Sequence, residues 1–113
     1  MHELSIALSI LELAQKEAQS HHAQRVTEIE IEVGKLSGVD TEALSFVLES
    51  VVRNTELEGC KVLIHPLDGK CRCNQCGDEY SVRELLEMCP ACGSFDRTLI
   101  AGKELKLKSL LID

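Results

Sequence analysis

"KELKLKSLLID", residues 103–113, decides the architecture of this 113-residue chain. Leu105 and Leu107 alternate with lysines, the period of a strand with one buried and one wet face. From Leu110 the run turns wholly apolar, so a register change is expected near Ser109. The cysteine-rich segment just before it, residues 69–97, is too small to offer a sheet that could use this strand. It is therefore expected to return to strands much earlier in the chain.

Two earlier strands are legible. In "VTEIEIEVG" (26–34), Ile29, Ile31 and Val33 alternate with Glu28, Glu30 and Glu32, and "CKVLIHPLD" (60–68) reads as a short strand ended by Pro66. Residues 4–19 read as a helix, with Leu4, Ala7, Leu11, Ala14 and Ala18 on one face. In "VDTEALSFVLESVV" (39–52), Leu44, Val47, Leu48 and Val51 form the apolar face of a second helix. Asp40 is placed to cap it, and Glu42 suits the positive end of its dipole. The expected fold is α+β: two helices packed on a small three-stranded mixed sheet, with a metal ribbon inserted before the last strand. An α/β domain of residues 1–68, completed by 98–113, would carry a cysteine module of residues 69–97.

Composition narrows the function. The formal charge is −7, and the only aromatics are Phe46, Tyr80 and Phe95, so the core must be aliphatic. An acidic surface disfavours phosphate backbones and anionic lipid. No stretch reaches the ~20 apolar residues of a membrane span. The apolar start "LSIALSILELA" (4–14) lacks a basic leader, which points to a cytoplasmic protein. Six cysteines in that compartment speak for metal or redox chemistry rather than for disulfides.

Four of the six repeat one device: Cys73-Asn-Gln-Cys76-Gly77 and Cys89-Pro-Ala-Cys92-Gly93. Two thiolates three residues apart grip a cation from one tight turn, and two such turns complete a tetrahedral sulfur shell suited to zinc. The glycine after each second cysteine allows a positive φ there, so that backbone N–H groups approach sulfur. An iron–sulfur centre is the other occupant that such a set allows. A thioredoxin-like redox motif would occur once, at a helix start. Cys71 offers a rival pairing with Cys73 but lacks the matched spacing and the glycine, so it reads as a spare thiol near the cage. Cys60 reads as a buried small hydrophobe. A zinc ribbon that binds nucleic acid is the alternative reading. It predicts a basic face, whereas residues 71–95 hold two bases (Arg72, Arg83) and four acids (Asp78, Glu79, Glu84, Glu87).

The opening "MHELS" offers different donors. Methionine is retained before a bulky residue, so the mature chain is expected to begin with the Met1 amine. That amine, the His2 amide nitrogen and the His2 imidazole close two fused chelate rings on one ion. The Glu3 amide or carboxylate can fill a fourth place. A planar nitrogen set suits Ni(II) or Cu(II) and not zinc. The same chemistry is open to any Xaa-His start, and a solvated terminal histidine is the plain alternative. Asp40 can reach such an ion only if the two helix starts share one edge of the sheet. His21 and His22 sit at a helix C-terminus and His65 at a strand end, none with ligand spacing.

Taken together, Met1-His2-Glu3-Leu4-Ser5, the glycine-bracketed "VGKLSGVD" (33–40) and the paired Cys-x-x-Cys-Gly module resemble the HypA/HybF family over essentially the whole length. These accessory proteins deliver nickel during maturation of NiFe hydrogenase and, in some bacteria, of urease. The resemblance implies that His2 is a nickel ligand and that Cys73, Cys76, Cys89 and Cys92 hold zinc. It also implies work with a nickel-handling GTPase and the hydrogenase large subunit, or urease accessory proteins, and no enzymatic activity of its own. Cys71, beside the zinc pair, departs from the family pattern.

Overall fold

The computed structural model describes residues 3–84 and 86–113. Helix α1 (Glu3–Ser20) leads into strand β1 (Val26–Gly34), helix α2 (Thr41–Val51) and strand β2 (Lys61–Leu67). β3 (Gly69–Cys73), β4 (Glu79–Val82) and β5 (Arg97–Ala101) follow, and β6 (Leu105–Ile112) ends the chain.

One sheet has the order β2-β1-β6. β1 pairs with β2 in parallel and with β6 antiparallel, so the sheet is mixed and the last strand does return to the first. Its register slips between Glu30↔Ser109 and Ile31↔Leu107, leaving Lys108 as the extra residue of a bulge. The expected change near Ser109 is there. Pro66, in contrast, does not end β2, which runs through it to Leu67. The reason is position: β2 is an edge strand, where a missing N–H costs no ladder bond.

The core lies between this sheet and the two helices. Ala7, Ile10, Ala14 and Ala18 line the buried face of α1, and Leu44 and Leu48 that of α2. They meet Val26, Ile29, Ile31 and Val33 of β1. Small alanines on α1 let the helix lie close, so larger aliphatics opposite fill the layer.

β3, β4 and β5 form a second antiparallel sheet, order β4-β3-β5. Its core is small: Leu36, Cys71, Cys73, Tyr80, Val82 and Cys89, with Leu99 partly buried beside them. Leu36 belongs to the loop after β1, yet its side chain plugs the core of the cysteine module. Three glycines make this possible. A Cβ on Gly34 would stand 2.1 Å from the Gly102 carbonyl oxygen, and one on Gly102 would meet Gly69 Cα at 2.7 Å. Backbone bonds lock the crossing: Gly34 N–H to the Glu104 carbonyl (2.7 Å), Leu36 N–H to Gly102 (2.8 Å) and Lys35 N–H to Leu67 (2.8 Å). Lys35 Nζ also reaches Asp68 Oδ1 at 2.6 Å.

Candidate metal centre

Two matched turns build the cysteine site. In the first, the Cys73 carbonyl accepts from Gly77 N–H (2.9 Å), and Cys73 N–H donates to the Asp78 carbonyl (2.8 Å). The second repeats this at the same offsets: Gly93 N–H to the Cys89 carbonyl (2.8 Å) and Cys89 N–H to Ser94 (2.9 Å). Gly77 and Gly93 have φ of 79° and 77°, a conformation that glycine enters without a Cβ penalty. Two turns spaced along the chain thus present one geometry. Asn74 and Gln75 brace the first against Asp96, bonding its two carboxylate oxygens at 2.9 and 3.0 Å. These bonds hold the Asp96 carboxyl below the usual carboxylate range.

The turns bring the sulfurs of Cys73, Cys76, Cys89 and Cys92 together, all within 4.8 Å of one another. Cys73 Sγ lies 3.5 Å from Cys92 Sγ, and Cys76 Sγ lies 3.7 Å from Cys89 Sγ. Among the described residues, no other group of three or more His, Cys, Asp or Glu donors converges in this way. The first cysteine of each turn is buried and the second exposed, so the cage has one inner and one wet side.

The electrostatics fit a dication. Backbone N–H groups of Cys76 and Gln75 aimed at Cys73 hold its thiol down at about 7. The Asp78 N–H also pulls on Cys76, but partial desolvation and the neighbouring sulfurs outweigh it and push that thiol up to about 12. Cys92 is stabilised as thiolate by Ser94 N–H, yet its neighbour Cys73 and partial desolvation raise it overall. Four sulfurs this close cannot all ionise unaided, because each thiolate repels the next. A bound dication removes that obstacle, and the N–H groups are already placed to share the residual charge.

The remaining cysteines stand apart. Cys71 shares the inward face of β3 with Cys73 but is buried opposite Tyr80 and Leu99, outside the convergent set. Cys60, half-buried before β2, has a thiol pushed up by burial.

The other predicted site begins where the described residues begin. Met1 and His2, the expected nickel ligands, lie outside them. Glu3 opens α1, and its Oε2 accepts the backbone N–H of Asp40 at 3.3 Å. The two helix starts therefore share one edge, with Asp40 beside Glu3. Asp40 Oδ1 caps α2, accepting from Glu42 N–H (3.0 Å) and Ala43 N–H (3.2 Å). His21 bonds back to the Glu17 carbonyl (3.0 Å), and His65 Nε2 lies 3.4 Å from Glu30 Oε2. Neither histidine joins a cluster.

Sequence reasoning missed the Leu36 plug and the glycine crossing. Gly34, Gly69 and Gly102 are 35 and 33 residues apart, without period or motif, so nothing local announces that they touch.

Among the described residues, no helix is long and apolar enough to cross a membrane. The sequence model of HypA, "Hydrogenase/urease nickel incorporation, metallochaperone", matches residues 1–112. A hydrogenase maturation factor HypA of Parabacteroides distasonis is 40% identical over 112 residues, covering 99% of this chain and 97% of that one. Its counterpart in Geobacter metallireducens is 38% identical over the full length of both. The solution structure of the Ni metallochaperone HypA from Helicobacter pylori superposes with a TM-score of 0.71 at 20% identity, covering 99% of this chain and 97% of that one. That likeness is one of fold.

Proposed function

This chain belongs to the HypA family of hydrogenase/urease nickel-incorporation metallochaperones, and on that premise we propose that it carries Ni(II) on its first residues and hands it to a NiFe hydrogenase under assembly. In this reading the cargo is held by the Met1 amine, the His2 amide and imidazole nitrogens, and Glu3. The first N–H groups of a helix have no intrahelical acceptor, so an amide there can give up its proton to a metal without breaking a helix bond. Asp40, tied through its own N–H to Glu3, is a further carboxylate that this edge can offer. Exposure of such a site suits delivery, since a partner must be able to take the ion.

The cysteine cage has a separate part. Zinc, when bound, supplies the positive charge that keeps four thiolates in a closed tetrahedron. Cys73, Cys76, Cys89 and Cys92 hold it, Gly77 and Gly93 permit their turns, and the resulting module is a docking surface for the maturation machinery. Its partners in this reading are a nickel-handling GTPase and the hydrogenase large subunit, or urease accessory proteins, in the cytoplasm. A nucleic-acid role finds little support on the module, where Arg72 and Lys70 are both engaged by Glu79 at 3.1 and 3.2 Å.

The contact of Glu3 with Asp40 carries the reading, because it ties the first turn of α1 to the start of α2 and brings residues of both helix starts to one edge. The test compares nickel binding by the native chain, His2→Ala, and a chain with one residue added before Met1. Extension should weaken nickel as much as the substitution does, since it turns the amine into an amide, while zinc content stays unchanged in all three. Amine and imidazole (ordinary pKa about 7.7–8 and about 6.5) must lose protons to bind, so affinity falls as pH drops through that range. Undiminished nickel binding by the extended chain, or equal affinity across that range, overturns the chelate.

A further inference from the structure

In the order β2-β1-β6, β6 is paired on one side only, so alternate backbone groups along Leu105–Ile112 face outward. The opposite edge, β2, is blunted by Pro66, whereas β6 contains neither proline nor glycine and is interrupted only by the bulge at Lys108. Beside β6 runs a groove of about 590 Å³ against α1, and a second hollow of about 200 Å³ continues it toward the start of that helix. The helix wall is the i, i+4 row of Ser5, Ser9, Leu13, Glu17 and His21, with Ile6 and Ile10 beside it in the second hollow. The small Ser5 and Ser9 leave the space open, and Leu13 stands 53% exposed over it.

We propose that β6 receives a fourth strand from another protein, an extended segment in which carboxylates alternate with aliphatic side chains. The chemistry is read from what already pairs with the other side of β6. There β1 sets Glu32 and Glu30 against Lys106 (3.7 Å) and Lys108 (4.0 Å), and Val33 and Ile31 opposite Leu105 and Leu107. Both lysines remain more than half exposed after those pairings, so an incoming strand meets the same two cations on one face. Its aliphatic residues enter the groove on the other. Backbone pairing supplies affinity, and the alternation supplies selectivity. A second copy of this chain paired about the middle of the lysine pair fits worse. A two-fold centred on Leu107 would set Lys106 against Lys108 twice, and like charges directly opposite destabilise a pair. This surface is independent of the nickel reading and stands or falls without it.

The test titrates the full-length protein, isotope-labelled for NMR, with a synthetic peptide VTEIEIEVG, the order of residues 26–34, as probe. A second peptide carries lysine in place of each glutamate. The acidic peptide should shift and protect amides of residues 105–112 and bind about tenfold more tightly than the lysine peptide. In the double variant Lys106→Glu/Lys108→Glu the preference should reverse. Ser9→Phe, which fills the groove from the helix side and leaves the strand pairs intact, should weaken both peptides. Equal affinity for the two peptides, no binding of either, or perturbed amides confined to other regions overturns the proposal. So does protection of β6 that grows with protein concentration alone, which would assign the edge to a second copy.

Discussion

Sheet β2-β1-β6 buries one face under two helices with Val26, Ile29, Ile31 and Val33. Sheet β4-β3-β5 has the same number of strands but, among the described residues, no helix of its own, and three of its six buried core residues are cysteines. The first can fold on aliphatic burial, at about 25 cal/mol per Å² removed from water. The second has little aliphatic core, and in the proposed reading a cation held by its four cysteines completes it. Two halves of one chain thus meet the same entropy cost by unlike means, and they should fail under unlike challenges.

The sharpest way to separate them is to strip the metal or substitute Cys89→Ala. Structural zinc contributes ~10–16 kcal/mol to folding of comparable modules. Amide dispersion of residues 69–101 should collapse, while hydrogen-exchange protection in α1, α2 and β1 persists. If the whole chain unfolds together, the two cores are one cooperative unit. The reciprocal challenge is Leu48→Ala, which removes a side chain with no exposed surface. It should lower stability to urea by roughly 2–5 kcal/mol and leave zinc stoichiometry unchanged.

Gly34→Ala tests the joint instead of either half. The new Cβ would press on the Gly102 carbonyl, and overpacking of this kind costs roughly 1–3 kcal/mol. Its expected signature is loss of amide shift coherence around Leu36 in both cores, read by NMR beside urea unfolding. Asp40→Ala removes the α2 cap and should cost ~1 kcal/mol by thermal unfolding. It also leaves the neighbour of Glu3 without a carboxylate, so a matching loss of nickel affinity would sharpen the proposed site.

The smallest effect is in pH. Lys35, by its hydrogen bond and then its charge, holds the Asp68 carboxyl below its usual value. A group depressed in the folded state contributes fully above the unfolded pKa, about 3.9 for Asp. It loses that contribution as pH falls through the lower folded value. Native protein should therefore lose more urea stability on acidification below about pH 4 than Lys35→Met does. Equal losses would show that the pair across the joint is solvated and contributes nothing.

Much of this was legible along the chain because it is local. The alternation in 26–34, the helical spacing of 39–52, the cap at Asp40 and the two Cys-x-x-Cys-Gly turns each lie within one element. The bulge near Ser109 was readable because the apolar pattern itself breaks phase there. Pro66 was misread because a proline's cost depends on whether its strand is central or at an edge, which sequence order does not state. The small sheet of the module went unseen because strands as short as Glu79–Val82 carry too few residues to show a period.

By itself the sequence determined the donor chemistry: four thiolates from two turns, and a nitrogen-rich start. Residue type and spacing narrow which ions can be gripped, and no distant contact is needed for that. Only the tertiary structure decided that Leu36 enters the second core, that Glu3 meets Asp40, and that β6 keeps an open edge. Each is a meeting of residues far apart in the chain. Close packing selects such meetings from many that local propensity leaves equally open.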